Sequence, residues 1–232
     1  MKTIVVLPAF NCEHTLFETL SDIPQGIIDE VVLVDDCSTD ATITKAQKYG
    51  IKHIVKHSQN LGYGANQKTC YETASNLGAD VIIMLHPDYQ YDPKLITNII
   101  DIFKKGADVV FASRMMHGRE AIKNGMPIYK FYANRILTVF QNIVFNRKLS
   151  EYHTGYRAYR TDILNSINYK ALSNGFIFDN QLILELFRQN VSIEEVYCPA
   201  RYLKDSSSIG FMNSIKYGIE VVYYTIKYRF KV

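Results

Sequence analysis

Short, unbroken apolar runs punctuate the first half of the chain, at residues 3–7, 30–34, 53–55, 81–85 and 108–112. They are rich in Val and Ile and do not alternate with polar residues, as in a strand buried on both faces of a parallel sheet. Between them, apolar positions recur at helical spacing over residues 13–23, 40–49, 65–77 and 93–105. Asp40 and Asp92 stand at N-cap positions, Pro93 at a first helical position, and Gly50, Gly78 and Gly106 just past last turns. The alternation of strand and helix predicts an α/β fold, a Rossmann-like open and mostly parallel sheet flanked by helices. Its ligand edge lies beyond the carboxyl ends of the strands.

The second half is less regular. Residues 126–145 and 178–189 read as helices, 156–159 as a strand or extended segment, and 193–197 as a strand; a last helix runs from Ile209 almost to the end. No repeat, low-complexity tract or linker interrupts the chain, and its 232 residues fit one domain.

Composition narrows the function classes. A net charge of +3 gives no ground for nucleic-acid binding. The four cysteines, Cys12, Cys37, Cys70 and Cys198, contain no CxxC pair, which argues against zinc and for reduced thiols. The opening Met1 to Leu7 reads as a strand rather than a secretory leader, because its apolar run is short and no small-x-small site follows. No run reaches the ~18 apolar residues of a membrane span.

The informative residues follow the strands: Pro8-Ala9-Phe10-Asn11, Asp35-Asp36-Cys37-Ser38-Thr39-Asp40, Asn60-Leu61-Gly62-Tyr63-Gly64-Ala65-Asn66, His86-Pro87-Asp88-Tyr89-Gln90-Tyr91-Asp92-Pro93, and Ser113-Arg114. Sheet topology puts these loops along one edge, polar and carboxylate-rich, as for a charged ligand. Neither GxGxxG nor GxxxxGK[ST] occurs, which weakens dehydrogenase and P-loop kinase readings. A nucleotidyltransferase would want a Gly-rich, basic loop after the first strand, and Pro8 to Asn11 does not supply it.

These motifs, together with His153-Thr154-Gly155-Tyr156-Arg157-Ala158-Tyr159-Arg160, resemble the family-2 glycosyltransferases in order and spacing from Thr3 to about Tyr202. The nearest likeness is to the dolichyl-phosphate mannosyltransferase and polyprenyl-phosphate sugar transferase branch. The resemblance implies a GT-A fold and an inverting, metal-dependent transfer from a UDP- or GDP-sugar. It implies a nucleotide-sugar-binding half (1–115), an acceptor half (116–205) and a C-terminal amphipathic helix (206–232). Pro8, Phe10 and Asn11 would line the base pocket. Asp35 and Asp36 would accept hydrogen bonds from base or ribose; the bland alternative is a polar turn before the next helix. Gly62 serves either close approach of backbone to ligand or a tight turn.

Asp88 resembles the last residue of the family's Asp-x-Asp motif and would hold Mg²⁺ or Mn²⁺ on the diphosphate. The chain departs from that motif at His86, an imidazole that favours Mn²⁺; Gln90 and diphosphate are the other expected ligands. Arg114, Lys130, Asn134 and Arg157 are expected at an acceptor phosphate, with a structural ion pair as the alternative for Arg157. Asp179 is a candidate general base or an orienter of arginine. A hydroxyl acceptor needs such a base, whereas a phosphate acceptor does not; the lack of an unmistakable base points to polyprenyl phosphate. A saccharide hydroxyl is the alternative, and His86 leaves open an inactive nucleotide-sugar-binding module. In the last helix Phe211, Ile215, Ile219, Val222, Ile226 and Phe230 recur every three or four residues beside Lys216, Lys227, Arg229 and Lys231. Such a stripe packs on a core or lies on an anionic membrane. The expected setting is the cytoplasmic face of a membrane, with oligomeric state open.

Overall fold

The computed structural model describes residues 1–189, 191–199, 201–202 and 210–230. In chain order the strands are β1 (Thr3–Ala9), β2 (Glu30–Asp35), β3 (His53–Lys56), β4 (Val81–Met84), β5 (Val109–Ser113), β6 (Arg157–Arg160) and β7 (Ile193–Tyr197). The helices are α1 (Leu16–Ser21), α2 (Thr42–Lys48), α3 (Tyr63–Asn76), α4 (Ile96–Lys104), α5 (Glu120–Lys123), α6 (Ile128–Phe145), α7 (Thr161–Asn165), α8 (Phe178–Arg188) and α9 (Phe211–Phe230). The strands form one sheet in the order β3-β2-β1-β4-β6-β5-β7. Every pairing is parallel except those of β6, which runs antiparallel between β4 and β5. Strands two and three add on one side of β1 and β4 on the other, so a crevice opens between the carboxyl ends of β1 and β4.

Apart from the edge strand β3, whose run is only half-buried, the apolar runs are buried on both faces because a strand's side chains alternate. From β1, Ile4 and Val6 join one core with Cys70, Tyr71 and Ala74 of α3 and Phe178, Leu182 and Leu186 of α8. Val5 and Leu7 join the other with Leu16 of α1, Ala46 of α2 and Ile96, Ile99 and Phe103 of α4.

Several boundaries differ from expectation for local reasons. The helix expected at 13–23 shortens to α1. Asp40 falls one residue before the N-cap of α2, Ala41; it accepts from Thr42 N at 3.0 Å, and its second oxygen accepts from Glu13 N. Helix α3 starts earlier, at Tyr63, because Gly62 turns the chain at φ +98°. Pro93–Leu95 forms a 3₁₀ turn before α4, with Asp92 accepting from Lys94 N. The segment expected at 156–159 is the antiparallel β6. Helices α5 and α7 were not anticipated. The expected start of the last helix at Ile209, and the flanking Lys231, lie outside the described residues.

Candidate active site

Of the residues with a left-handed backbone that are not glycine, Asn11 (φ 49°), Cys37 (φ 65°) and Tyr89 (φ 56°) sit in the loops after β1, β2 and β4. Such backbone costs about 1–3 kcal/mol per residue and persists only where surroundings enforce it. Here the loops are stitched together. Asn11 N donates to Ser38 Oγ at 2.8 Å, and Asn11 Oδ1 accepts from Thr39 N at 2.9 Å. Tyr89 O–H donates to Asp22 at 2.6 Å while the Arg201 guanidinium lies over its ring. Phe10, between the first two loops, stays 52% exposed and presents its ring on the rim. Pro8 is buried within β1.

The two aspartates after β2 play different parts. Asp36, 3% exposed, accepts from Leu61 N at 2.8 Å and Gly62 N at 3.0 Å and contacts His57 Nδ1 at 2.7 Å. These bonds tie β2 to the start of α3. Asp35 is fully buried; one oxygen accepts from Ser38 N, and the other is unpaired. An orphaned buried acceptor is costly and points to an unfilled role. A Cβ on Gly62 would come 2.9 Å from Asn174 O, so protein backbone fills the space there.

Beyond β4, Asp88 is 8% exposed and accepts from Gln90 N at 3.0 Å; Gln90 is buried beside it. His86 stacks on Tyr63, with ring centroids 5.4 Å apart and planes 4° from parallel. The Tyr63 hydroxyl donates to Asp179 Oδ2 at 2.6 Å, which commits its only proton. His86 Nε2, 3.3 Å from that hydroxyl, is therefore the donor, and its Nδ1 keeps a lone pair. Burial pushes the His86 pKa down, against the opposing pull of Asp88 and Asp179, so the ring is neutral at pH 7.

Arg157 is not at a phosphate site. It is 1% exposed, and its guanidinium donates to Thr154 O, Asp179 O and Tyr152 O at 2.7–2.9 Å, with Asp179 Oδ1 at 3.7 Å. It anchors the start of α8 and hence Asp179. Arg114 is fixed in place by Glu151. Its Nε and Nη2 bond Glu151, its backbone N donates to Glu151 Oε2 at 2.8 Å, and Nη2 also reaches His153 O at 2.9 Å. Asn134 donates to Glu151 Oε1 at 2.7 Å, which makes it a support for the pair rather than a phosphate ligand. Burial pushes the Glu151 carboxyl up, but the Arg114 charge and these hydrogen bonds outweigh it and hold it below the ordinary glutamate value. Lys130, on the first turn of α6, is half-buried; burial and then the Arg114 charge lower its ammonium pKa.

Glu151, Tyr63 and His57 escaped the sequence reading. Tyr63 and Glu151 sit in or next to quoted motifs, but nothing in their spacing names a partner dozens of residues away. Among the described residues, no group of three His, Cys, Asp or Glu side chains is placed to hold a metal by itself.

The family model for glycosyl transferase family 2 matches residues 4–167. The chain belongs to that family. It is a glycosyltransferase on a GT-A fold. Among its relatives, the dolichol-phosphate mannosyltransferase of Pyrococcus furiosus is 28% identical over 74% of this chain and 51% of that protein. The chain thus spans about half that relative's length. The polyprenol monophosphomannose synthase of Mycolicibacterium smegmatis is 22% identical over 84% of this chain and 76% of its own. Among solved structures, glucosyl-3-phosphoglycerate synthase from Mycobacterium tuberculosis, in complex with Mn²⁺, UDP-glucose and phosphoglyceric acid, superposes with a TM-score of 0.71 at 18% identity, over 98% of this chain and 79% of that one. That likeness speaks to fold.

Proposed function

We propose that this glycosyltransferase moves a sugar, with inversion, from a UDP- or GDP-sugar to a polyprenyl phosphate at the cytoplasmic face of a membrane. The observation that carries the acceptor assignment is the pairing of Lys130 with Arg114 beside a carboxylate that is not free to act as a base. Burial, and then the Arg114 charge, lower the Lys130 ammonium pKa, and an anionic acceptor beside it would relieve that cost. Tyr63 donates to one Asp179 oxygen and the Arg157 charge lies 3.7 Å from the other, unpaired one, which favours an orienting role for Asp179 over that of a base. A phosphate monoester needs no base, and positioning with charge neutralisation then does the catalysis.

The donor would lie over the crevice between β1 and β4. Phe10 offers a ring face to the nucleobase, and Asp35, with one unpaired oxygen at the carboxyl end of β2, is the carboxylate assigned to base or ribose. The residues beyond β4 fit a divalent cation that keeps diphosphate oxygens in its shell: Asp88 supplies one carboxylate, the His86 Nδ1 lone pair and Gln90 further donors. Mg²⁺ and Mn²⁺ commonly take only one or two protein carboxylates in such sites. Bound there, the ion would offset charge on the departing nucleoside diphosphate. Arg114, fixed by Glu151, and Lys130 would hold the acceptor phosphate.

A second reading keeps the donor chemistry but takes a saccharide hydroxyl. It is favoured by Phe176, 41% exposed and tilted onto Tyr63 at 5.1 Å, an aromatic face of the kind sugars stack on. Incubation with labelled nucleotide sugars and either undecaprenyl phosphate or soluble oligosaccharides separates the two. Label extracted into organic solvent with undecaprenyl phosphate alone supports the proposal. Transfer only to the oligosaccharide would reject it.

A further inference from the structure

Helices α6 and α9 lie side by side. A Cβ on Gly218 would be 4.0 Å from Leu137, and Gln141 donates to Thr225 Oγ1 at 3.0 Å. Only their inward faces meet the core. The outward faces are apolar: Ile128, Ile136 and Ile143 of α6 and Met212, Ile219 and Phe230 of α9 are each between 63 and 76% exposed. Spaced at two or three turns along their helices, they line two neighbouring stripes, and a shallow apolar cleft bounded by Leu137, Ile215 and Val222 joins them. Helices of 18 and 20 residues reach about 30 Å at 1.5 Å per residue. An apolar face on that scale exceeds what monomeric soluble proteins usually leave to water.

What surrounds the stripes selects the occupant. The two helices carry five basic side chains, Lys130, Arg135, Lys216, Lys227 and Arg229, against one acidic side chain, Glu220. Glu220 pairs with Lys216 at 4.0 Å. Tyr129, Tyr132 and Tyr223, each about half exposed, add rings with polar tips, suited to the boundary between lipid headgroups and acyl chains. A second copy fits poorly, because a two-fold contact brings each patch onto itself and sets like-charged rims together. No helix among the described residues is long and apolar enough to cross a membrane.

We infer that the joint outer face of α6 and α9 is a docking surface for an anionic lipid bilayer, on which the protein lies with both helices parallel to the membrane plane. The surface is continuous with the site. Lys130, on the first turn of α6, is within electrostatic reach of Arg114, and Tyr217 of α9 bonds His153 Nδ1 at 2.8 Å, two residues from Glu151. A lipid phosphate could then meet Arg114 and Lys130 while its tail stays in the bilayer. The inference extends the acceptor reading without requiring it.

The test uses the full chain with neither donor nor acceptor: co-sedimentation with phosphatidylcholine vesicles, with and without phosphatidylglycerol, at low and high salt. Binding should appear with phosphatidylglycerol, weaken as salt screens the basic rim, and drop at least about tenfold in Ile136→Glu/Ile219→Glu. Both positions are exposed, so circular dichroism and nucleotide affinity of the variant should match wild type. Indifference of the wild type to vesicles, or undiminished binding by the variant, would overturn the inference. So would a wild-type dimer in sedimentation velocity that the double variant splits, which would give the surface to a second copy.

Discussion

Replacing Glu151 by glutamine should destabilise the protein severely, and the structure gives the scale. The carboxylate is fully buried and accepts from Arg114 N, Arg114 Nε and Nη2, and Asn134 Nδ2. Glutamine keeps the shape but has one acceptor oxygen. Its NH₂ would face an N–H donor, and the Arg114 charge, 11% exposed, would be left without a counter-charge. Breaking a buried ion pair from one side costs about 3–5 kcal/mol, a large share of the ~5–15 kcal/mol that holds a typical domain folded. Urea unfolding followed by circular dichroism reads this as a lower midpoint at unchanged m-value. The double variant Glu151→Leu/Arg114→Met, which removes both charges, should recover much of the loss, because an apolar pair of similar volume is often neutral. A cost below about 1 kcal/mol for Glu151→Gln would refute the reasoning, as would a double variant no more stable than the single.

Other perturbations test neighbouring parts of the account. Gly64→Ala should cost roughly 1–3 kcal/mol or more in urea unfolding, because the new Cβ would lie 2.6 Å from Ser173 O and 2.7 Å from Phe178 Cβ. Tyr63→Phe removes the donor to Asp179 Oδ2 and the acceptor for His86 Nε2; stability should fall by about 1–3 kcal/mol, and transfer rate should fall more than nucleotide affinity. The pH dependence of stability should carry a histidine signature. Burial pushes the His153 pKa down to about 3, so the unfolded chain takes up a proton near pH 6.5 that the folded chain refuses. The urea midpoint should therefore fall as pH drops from about 6.5 toward 4.5, and fall less steeply in His153→Gln.

The parallel half of the sheet was legible because physics there is local. The unbroken Val and Ile runs had to be buried on both faces, and the caps Asp40 and Asp92 act where they were expected, within a residue or two. An extended segment was legible at 156–159, but not its place as β6, antiparallel between β4 and β5. Arg157-Ala158-Tyr159-Arg160 does not read as a central strand, since it begins with an arginine that only a set of backbone carbonyls could make tolerable inside a core. The site divided the same way. Phe10 lies exposed after β1, and Asp88 lies buried in the loop after β4. Asp36, Gly62, Asn134 and Arg157 instead hold protein together, because their partners, Leu61 N, Asn174 O, Glu151 and Tyr152 O, lie on other elements that no spacing rule connects to them. The commitment of Arg114 to Glu151 across 37 residues is the plainest case.

The most direct test of the central claim is calorimetric titration of UDP and GDP, each with and without Mn²⁺, into wild type and Asp88→Ala. The account expects one of the two nucleotides to bind, binding to tighten with Mn²⁺, and that gain to vanish in Asp88→Ala. Binding of neither nucleotide, or a Mn²⁺ effect that survives the loss of the Asp88 carboxylate, would contradict it.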